Sequence, residues 1–328
     1  MATAVASARA ISHQHVTSNL PGRRRGRGDV GLAGAGAGAG ALESRSFWDI
    51  KMESVQPTES LGCRYIDLPA EIRLAILEYV FAGNGLVDGF KNHNVSGGLI
   101  FDEEYAISKS LHPLMTCRQM YYDACLLAFQ NTAFVTNSLF IANNIPERLS
   151  VLHLKQIAAI RSITFVADAR HFRKLIDWGD CPFGMKQLQL DTLTLVLHKS
   201  SFWHYLFDFT SDVVQLLRKL EGVRRLVFVR NDARVKGSFH TWYNRLVGLI
   251  MKVDHHERYN RSPCNPEKVW WQWNFDPIAQ SICLEALPSK TQIAEEAYMS
   301  QMKPLMEELQ ASIENEEWNP DPRVRNGT

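Results

Sequence analysis

The sequence has no apolar run near the roughly 18–20 residues that a membrane-spanning helix needs. Its start shows neither the charged opening nor the long apolar block of a signal peptide. Charge of one sign is also missing: 36 Lys and Arg face 35 Asp and Glu, a formal +1. No global field therefore draws the chain toward nucleic acid or anionic lipid. Cysteine is sparse, with six in 328 residues (Cys63, Cys117, Cys125, Cys181, Cys264 and Cys283), irregularly spaced and without a C-x-x-C pair. That excludes a disulfide-stapled scaffold and suits a reducing compartment, cytoplasm or nucleus. Neither G-x-x-x-x-G-K-[ST] nor G-x-S-x-G occurs, so the commonest phosphate-cradling and nucleophile-elbow signatures are absent. No cofactor, no metal and no catalytic residue is expected.

What is present can fold. With 45% hydrophobic and 22% charged residues over 328 positions, the chain can bury one core or two small ones. Residues 1–60 stand apart as a Gly/Ala/Arg-rich tail expected to be disordered. The basic cluster Arg23-Arg24-Arg25-Gly26-Arg27 has two functional readings, a nuclear-import or nucleic-acid patch and, with the acid-free stretch 1–28, a mitochondrial transit peptide. Gly26–Gly31 matches G-x-G-x-x-G, but arginines precede it where a dinucleotide site requires a strand. The sequons at Asn94, Asn260 and Asn326 matter only in a secretory pathway.

The pattern divides the remainder into a helical module over 61–140, a body over 141–288 and a C-terminal helix with an acidic tail over 289–328. The spacing predicts a helix over Tyr65–Phe81, with Pro69 at its first position. It carries two apolar stripes, Ile72, Ile76, Tyr79 and Val80 on one side and Leu74, Leu77 and Phe81 on another. Two stripes require two covers, one of which is either the insertion at 84–110 or another protein. Around Gly97-Gly98 that insertion reads as irregular or a short hairpin. A second helix is expected from Pro113, with Leu114, Cys117, Tyr121, Ala124 and Ala128 on one face, and Thr132–Val135 as a strand.

In the body, Ile163–Val166, Leu193–Leu197 and Leu226–Val229 read as strands starting 30 and 33 residues apart. Helices over His171–Asp177, Asp212–Leu220 and Thr241–Val253 accompany them. Such spacing calls for crossover connections and parallel pairing, an α/β or α+β fold whose layer is close in period to a degenerate leucine-rich repeat. Ser289 and Gln292 form a capping-box pattern for the last helix, where Pro304 is expected to kink or split it and Tyr298, Met302, Leu305, Leu309 and Ile313 form a docking stripe.

Leu68-Pro69-Ala70-Glu71-Ile72, followed by Ile76-Leu77-Glu78-Tyr79-Val80, resembles the opening of an F-box. His112-Pro113-Leu114-Met115-Thr116-Cys117-Arg118-Gln119-Met120-Tyr121, ending in Asn131-Thr132-Ala133-Phe134-Val135, resembles the second half of the F-box-like domain found in fungal proteins of unknown function. The resemblance covers about 70 of 328 residues, and the insertion departs from the compact three-helix F-box. It implies a non-enzymatic interaction module recruiting an unknown target protein to a cullin-type ubiquitin ligase, with Leu68, Pro69, Ile72, Ile76 and Leu77 on the adaptor. Two alternatives stand beside it: a small α/β enzyme with its site at the strand ends, and a structural module without a ubiquitin role.

Other constellations have plainer readings. His255, His256 and Cys264 lack zinc-ligand spacing. Ser200, Ser201 and His204 lack an oxyanion signature. Asp208 and Asp212 read as a solvated residue and a helix cap. Arg224, Arg225 and Arg230 read as edge or surface charges, and Trp270, Trp271 and Trp273 as core.

Overall fold

The computed structural model describes residues 65–82, 89–93, 97–199, 209–235 and 238–318. The tail 1–60, the Gly26–Gly31 motif, Ser200, Ser201, His204, Asp208, Asn94 and Asn326 lie outside the described residues. The first half holds α1 (Ala70–Val80), the hairpin β1 (Phe90–Asn92) and β2 (Leu99–Phe101), α2 (Ile107–Leu111), α3 (Arg118–Asn131) and β3 (Ala133–Thr136). Next come α4 (Leu139–Asn143), α5 (Ile145–Ser150), α6 (Leu154–Ala159), β4 (Ser162–Ala167), α7 (Ala169–Lys174) and β5 (Leu190–Leu197). The chain continues through α8 (Thr210–Leu217), β6 (Val223–Val229), α9 (Phe239–His255), β7 (Val269–Asp276), β8 (Ser281–Pro288) and α10 (Glu295–Trp318).

Six of these strands form one mixed sheet in the order β3-β4-β5-β6-β8-β7. The first four are parallel, and the three anticipated apolar runs sit in register, Ile163 beside Leu193 and Leu193 beside Leu226. The hairpin β7–β8 then joins β6 antiparallel. Helical crossovers between adjacent parallel strands explain the regular spacing of the runs.

Strand alternation separates two sets of side chains. Ile163, Phe165, Leu193, Leu195, Leu226 and Phe228 join the main core with side chains of α3, α6, α7, α8 and α9. Val166, Val196 and Val229 join a second cluster with Phe90 and Phe101. The hairpin β1–β2 thus covers one face of the sheet while the helices cover the other. Asn231 fastens it in place: Oδ1 accepts from the Phe101 N–H (3.1 Å) and Nδ2 donates to the Leu197 carbonyl (3.1 Å). Gly98 comes so close that an added Cβ would lie 2.9 Å from Cβ of Gln280.

Several boundaries differ from expectation for local reasons. Pro69 flanks α1 rather than opening it. Pro113 lies in a 3₁₀ turn, His112–Met115, and α3 starts only at Arg118, where Cys117 is extended and its Sγ accepts from Met120 N at 3.4 Å. α8 starts at Thr210, which places Asp212 within its first turn instead of at the cap. α7 begins earlier than expected because Asp168 Oδ1 accepts from the backbones of Arg170 (2.9 Å) and His171 (3.2 Å). The Ser289–Gln292 pattern caps nothing: the chain is non-helical to residue 294, and Gln292 Oε1 accepts from Cys264 Sγ at 3.2 Å. α10 runs continuously through Pro304 and seats Tyr298 and Met302 on Trp270. Trp270 and Trp271 are buried, with Trp271 Nε1 donating to the Leu217 carbonyl at 2.8 Å.

Candidate functional site

α1 is held on α3 by apolar packing and by one ion pair. Leu77 and Phe81 pack on Leu114, Ala124 and Ala128, where two alanines on α3 permit close approach. Arg73 Nε pairs with Asp123 Oδ2 at 2.8 Å, and Nη1 donates back to the carbonyls of Leu68 (2.9 Å) and Ile66 (3.3 Å). Asp123 is itself oriented by Gln119, whose Nε2 donates to Oδ1 at 2.7 Å. The Leu-Pro turn, the arginine of the first helix and the glutamine of the second thus form one polar clamp.

That clamp sets which stripe faces out. Ile72 (50% exposed), Ile76 (39%), Tyr79 (86%) and Val80 (47%) share one flank of α1 and remain open, and so does Leu74 of the opposite stripe (47%), of which only Leu77 and Phe81 are buried. Leu68 is half-buried and Pro69 exposed at its start. Leu77, expected among the outward residues, is fully buried, because the helix rotates it onto α3. Of the insertion, the internal candidate for covering the helix, the described hairpin β1–β2 packs on the sheet instead. Four isolated apolar side chains would be ordinary surface; a contiguous helical stripe with charged neighbours has the form of a docking element.

The C-terminal ends of β4, β5 and β6 are the place where an α/β enzyme would work. Polar groups are present there and most are engaged with one another. Burial alone would raise the Asp168 carboxyl, but hydrogen bonds from Arg170 and His171 outweigh it and hold the group at about 2. Arg230, expected at the surface, is buried, its Nη1 donating to Gln280 Oε1 at 3.3 Å and its Nε to the Ala233 carbonyl at 3.4 Å. Burial draws its pKa below the ordinary arginine value. His255 and Cys264 do not converge: His255 Nε2 lies 2.9 Å from Glu295 Oε1, while Cys264 bonds Gln292. Among the described residues no group of three His, Cys, Asp or Glu side chains is placed to hold a metal ion.

A buried ionic cluster escaped the sequence reading. Arg258 Nε donates to both oxygens of Asp254 (2.9 and 3.0 Å) and Nη2 to Glu267 Oε1, while the Tyr298 hydroxyl donates to Asp254 Oδ2 at 2.5 Å. Glu267 Oε2 is buried without a hydrogen-bond partner. Burial and the Asp254 carboxyl push Glu267 up to about 7, against the pull of Arg258. The Asp254–Arg258 spacing of four residues on a helix was its only local signal.

Compared with protein-family models, with curated proteins and with solved structures, the chain matches none. Among the described residues no helix is long and apolar enough to cross a membrane.

Proposed function

We propose that the chain is a non-enzymatic recruitment protein of F-box-like type. α1 docks on the adaptor subunit of a cullin-type ubiquitin ligase through Ile72, Ile76, Tyr79 and Val80, with Leu68 and Pro69 at the lip, while the α/β body holds the target protein. The observation that carries this reading is the open apolar stripe of α1 on a helix clamped from behind by Arg73 and Leu77. A helix held rigidly in this way loses little conformational freedom when a partner closes over it.

The test is affinity purification of the tagged full chain beside an Ile72→Asp, Ile76→Asp variant. Both positions are exposed, so the fold is expected to survive, which far-ultraviolet circular dichroism checks. Adaptor and cullin should accompany the parent and be lost from the variant. Their absence from the parent eluate, or equal recovery with the folded variant, overturns the proposal.

A further inference from the structure

A cleft of about 800 Å³ lies between α8, α9 and the segment that links α9 to β7. From Ser211 to Lys219 its lining follows one flank of α8 and the turn after it, about 12 Å at the helical rise. Val214 is buried and Leu249 and Val253 are half-buried, so the cleft has an apolar floor. The acidic helix α10 lies on a different flank of α9, where Ser312 meets His240 (3.2 Å) and Asn244 (3.3 Å), and none of its described residues lines the cleft.

Around that floor the charge is one-sided. Arg218, Lys219, Lys252, Arg261 and Lys268 line the cleft against two acids, Asp180 and Glu257, in a chain whose formal charge is only +1. Lys268 is matched by Asp180 (2.8 Å) and Glu221 (3.1 Å), and Arg261 by Glu257 (2.6 Å). Among the described residues Lys219 and Lys252 have no carboxylate at ion-pair distance, and both are exposed. The two acids register the surplus. Lys268 first, and Lys219 after it, hold the Asp180 carboxyl below its ordinary value; Asn265, then Arg261 and Arg218, do the same for Glu257. A concave, one-signed surface of this kind concentrates ligands of the opposite sign.

We propose that this cleft binds an acidic peptide segment of a target protein, with one apolar side chain on Val214, Leu249 and Val253 and flanking carboxylates on Lys219 and Lys252. The cations come from separate stretches of chain and surround an apolar floor, a layout that alternating acidic and apolar residues meet and a lone phosphate does not. About four residues of extended chain, at about 3.3 Å each, cover the 12 Å along α8. The inference rests on the target-holding role given to the α/β body, but direct peptide binding involves neither adaptor nor cullin. Peptide binding without adaptor recovery would therefore sink the ligase role alone, and the reverse result would sink this proposal alone.

The probes are three blocked pentapeptides, Glu-Asp-Leu-Asp-Glu, its amide counterpart Gln-Asn-Leu-Asn-Gln, and Glu-Asp-Ser-Asp-Glu, which lacks the apolar anchor. Saturation-transfer nuclear magnetic resonance with the full chain at low salt should show saturable binding of the first, at least about ten-fold tighter than its amide counterpart. The serine peptide should bind at least about three-fold more weakly than the leucine peptide. Lys219→Gln with Lys252→Gln should weaken the leucine peptide by at least about three-fold. Lys109→Gln with Lys155→Gln removes the same charge from exposed positions outside the cleft and should leave binding unchanged. Absence of saturable binding, equal affinity for the amide peptide, or equal effects of the two variants each overturns the proposal. A serine peptide that binds as well as the leucine peptide overturns it too, leaving a simple anion site.

Discussion

Replacing Glu267 by glutamine should stabilise the protein at alkaline pH, although the change removes a buried partner of an arginine. Glu267 is raised from 4.5 to about 7 by burial and by Asp254. The folded state therefore binds a proton more tightly than the unfolded chain, and stability is lost as pH rises through that window. Two and a half pH units at about 1.36 kcal/mol each set the loss at about 3 kcal/mol by pH 8, and about 1 kcal/mol at pH 5. Glutamine resembles the protonated acid: its oxygen can accept from Arg258 and the Lys290 N–H as Glu267 Oε1 does, and its NH₂ can donate toward Asp254. Urea titrations of both proteins at pH 5 and pH 8 isolate the Glu267–Asp254 pair, since all other groups are shared. The advantage of Glu267→Gln should grow by about 2 kcal/mol between the two conditions, or roughly 4–8 °C in Tm. If Glu267 were instead an ionised partner of Arg258, the same change would break a buried ion pair and destabilise by about 3–5 kcal/mol. A loss of stability at pH 8, or an effect independent of pH, refutes the reasoning.

Two further outcomes follow from packing. Leu77→Ala should cost about 2–5 kcal/mol in chemical denaturation because it opens a cavity against Ala124 and Ala128, whereas Ile76→Ala on the open flank should stay within about 0.5 kcal/mol. Asn231→Ala should remove both bonds that hold the hairpin and place a residue less suited to φ +50°, at about 2–3 kcal/mol. Hydrogen exchange should then accelerate at Leu99–Phe101 before it does in β5.

The parallel strands were legible because Ile163–Val166, Leu193–Leu197 and Leu226–Val229 are short, predominantly apolar runs interrupted only by Thr164 and Thr194, as suits strands covered on both faces. The two stripes of α1 were legible too, but not that Leu77 and Phe81 alone would turn inward while Leu74 stays exposed. Small residues on α3, 47 and 51 positions after Leu77 in the sequence, decide that by allowing close approach, and local periodicity carries no record of them. Ser289 and Gln292 misled because the capping pattern describes a local option, and the long pairing of β8 to Pro288 outweighs it. The grouping of Phe165, Trp178 and Phe183, with ring centroids 4.5 to 6.4 Å apart, had no signature at all. They come from a strand and two turns, and the left-handed backbone of Phe183 is unusual for its residue type. The buried cluster likewise unites Asp254 with Tyr298, 44 residues on.

α3 belongs to both cores at once. Ala124 and Ala128 face α1, while Cys125 and Phe129 face the main core, and a single residue, Thr132, separates the helix from β3. There is no swivel between the two. Whatever seats itself on α1 is held at a set bearing to whatever the sheet and its helices grip, much as two tools bolted to one beam. Under the function proposed above, this shifts selectivity from contact to aim: a captured protein would be modified only where its own shape happens to place a lysine along that line. Because Ala124 and Ala128 alternate with Cys125 and Phe129 on the same turns of α3, an insertion there cannot redirect one grip without breaking the other.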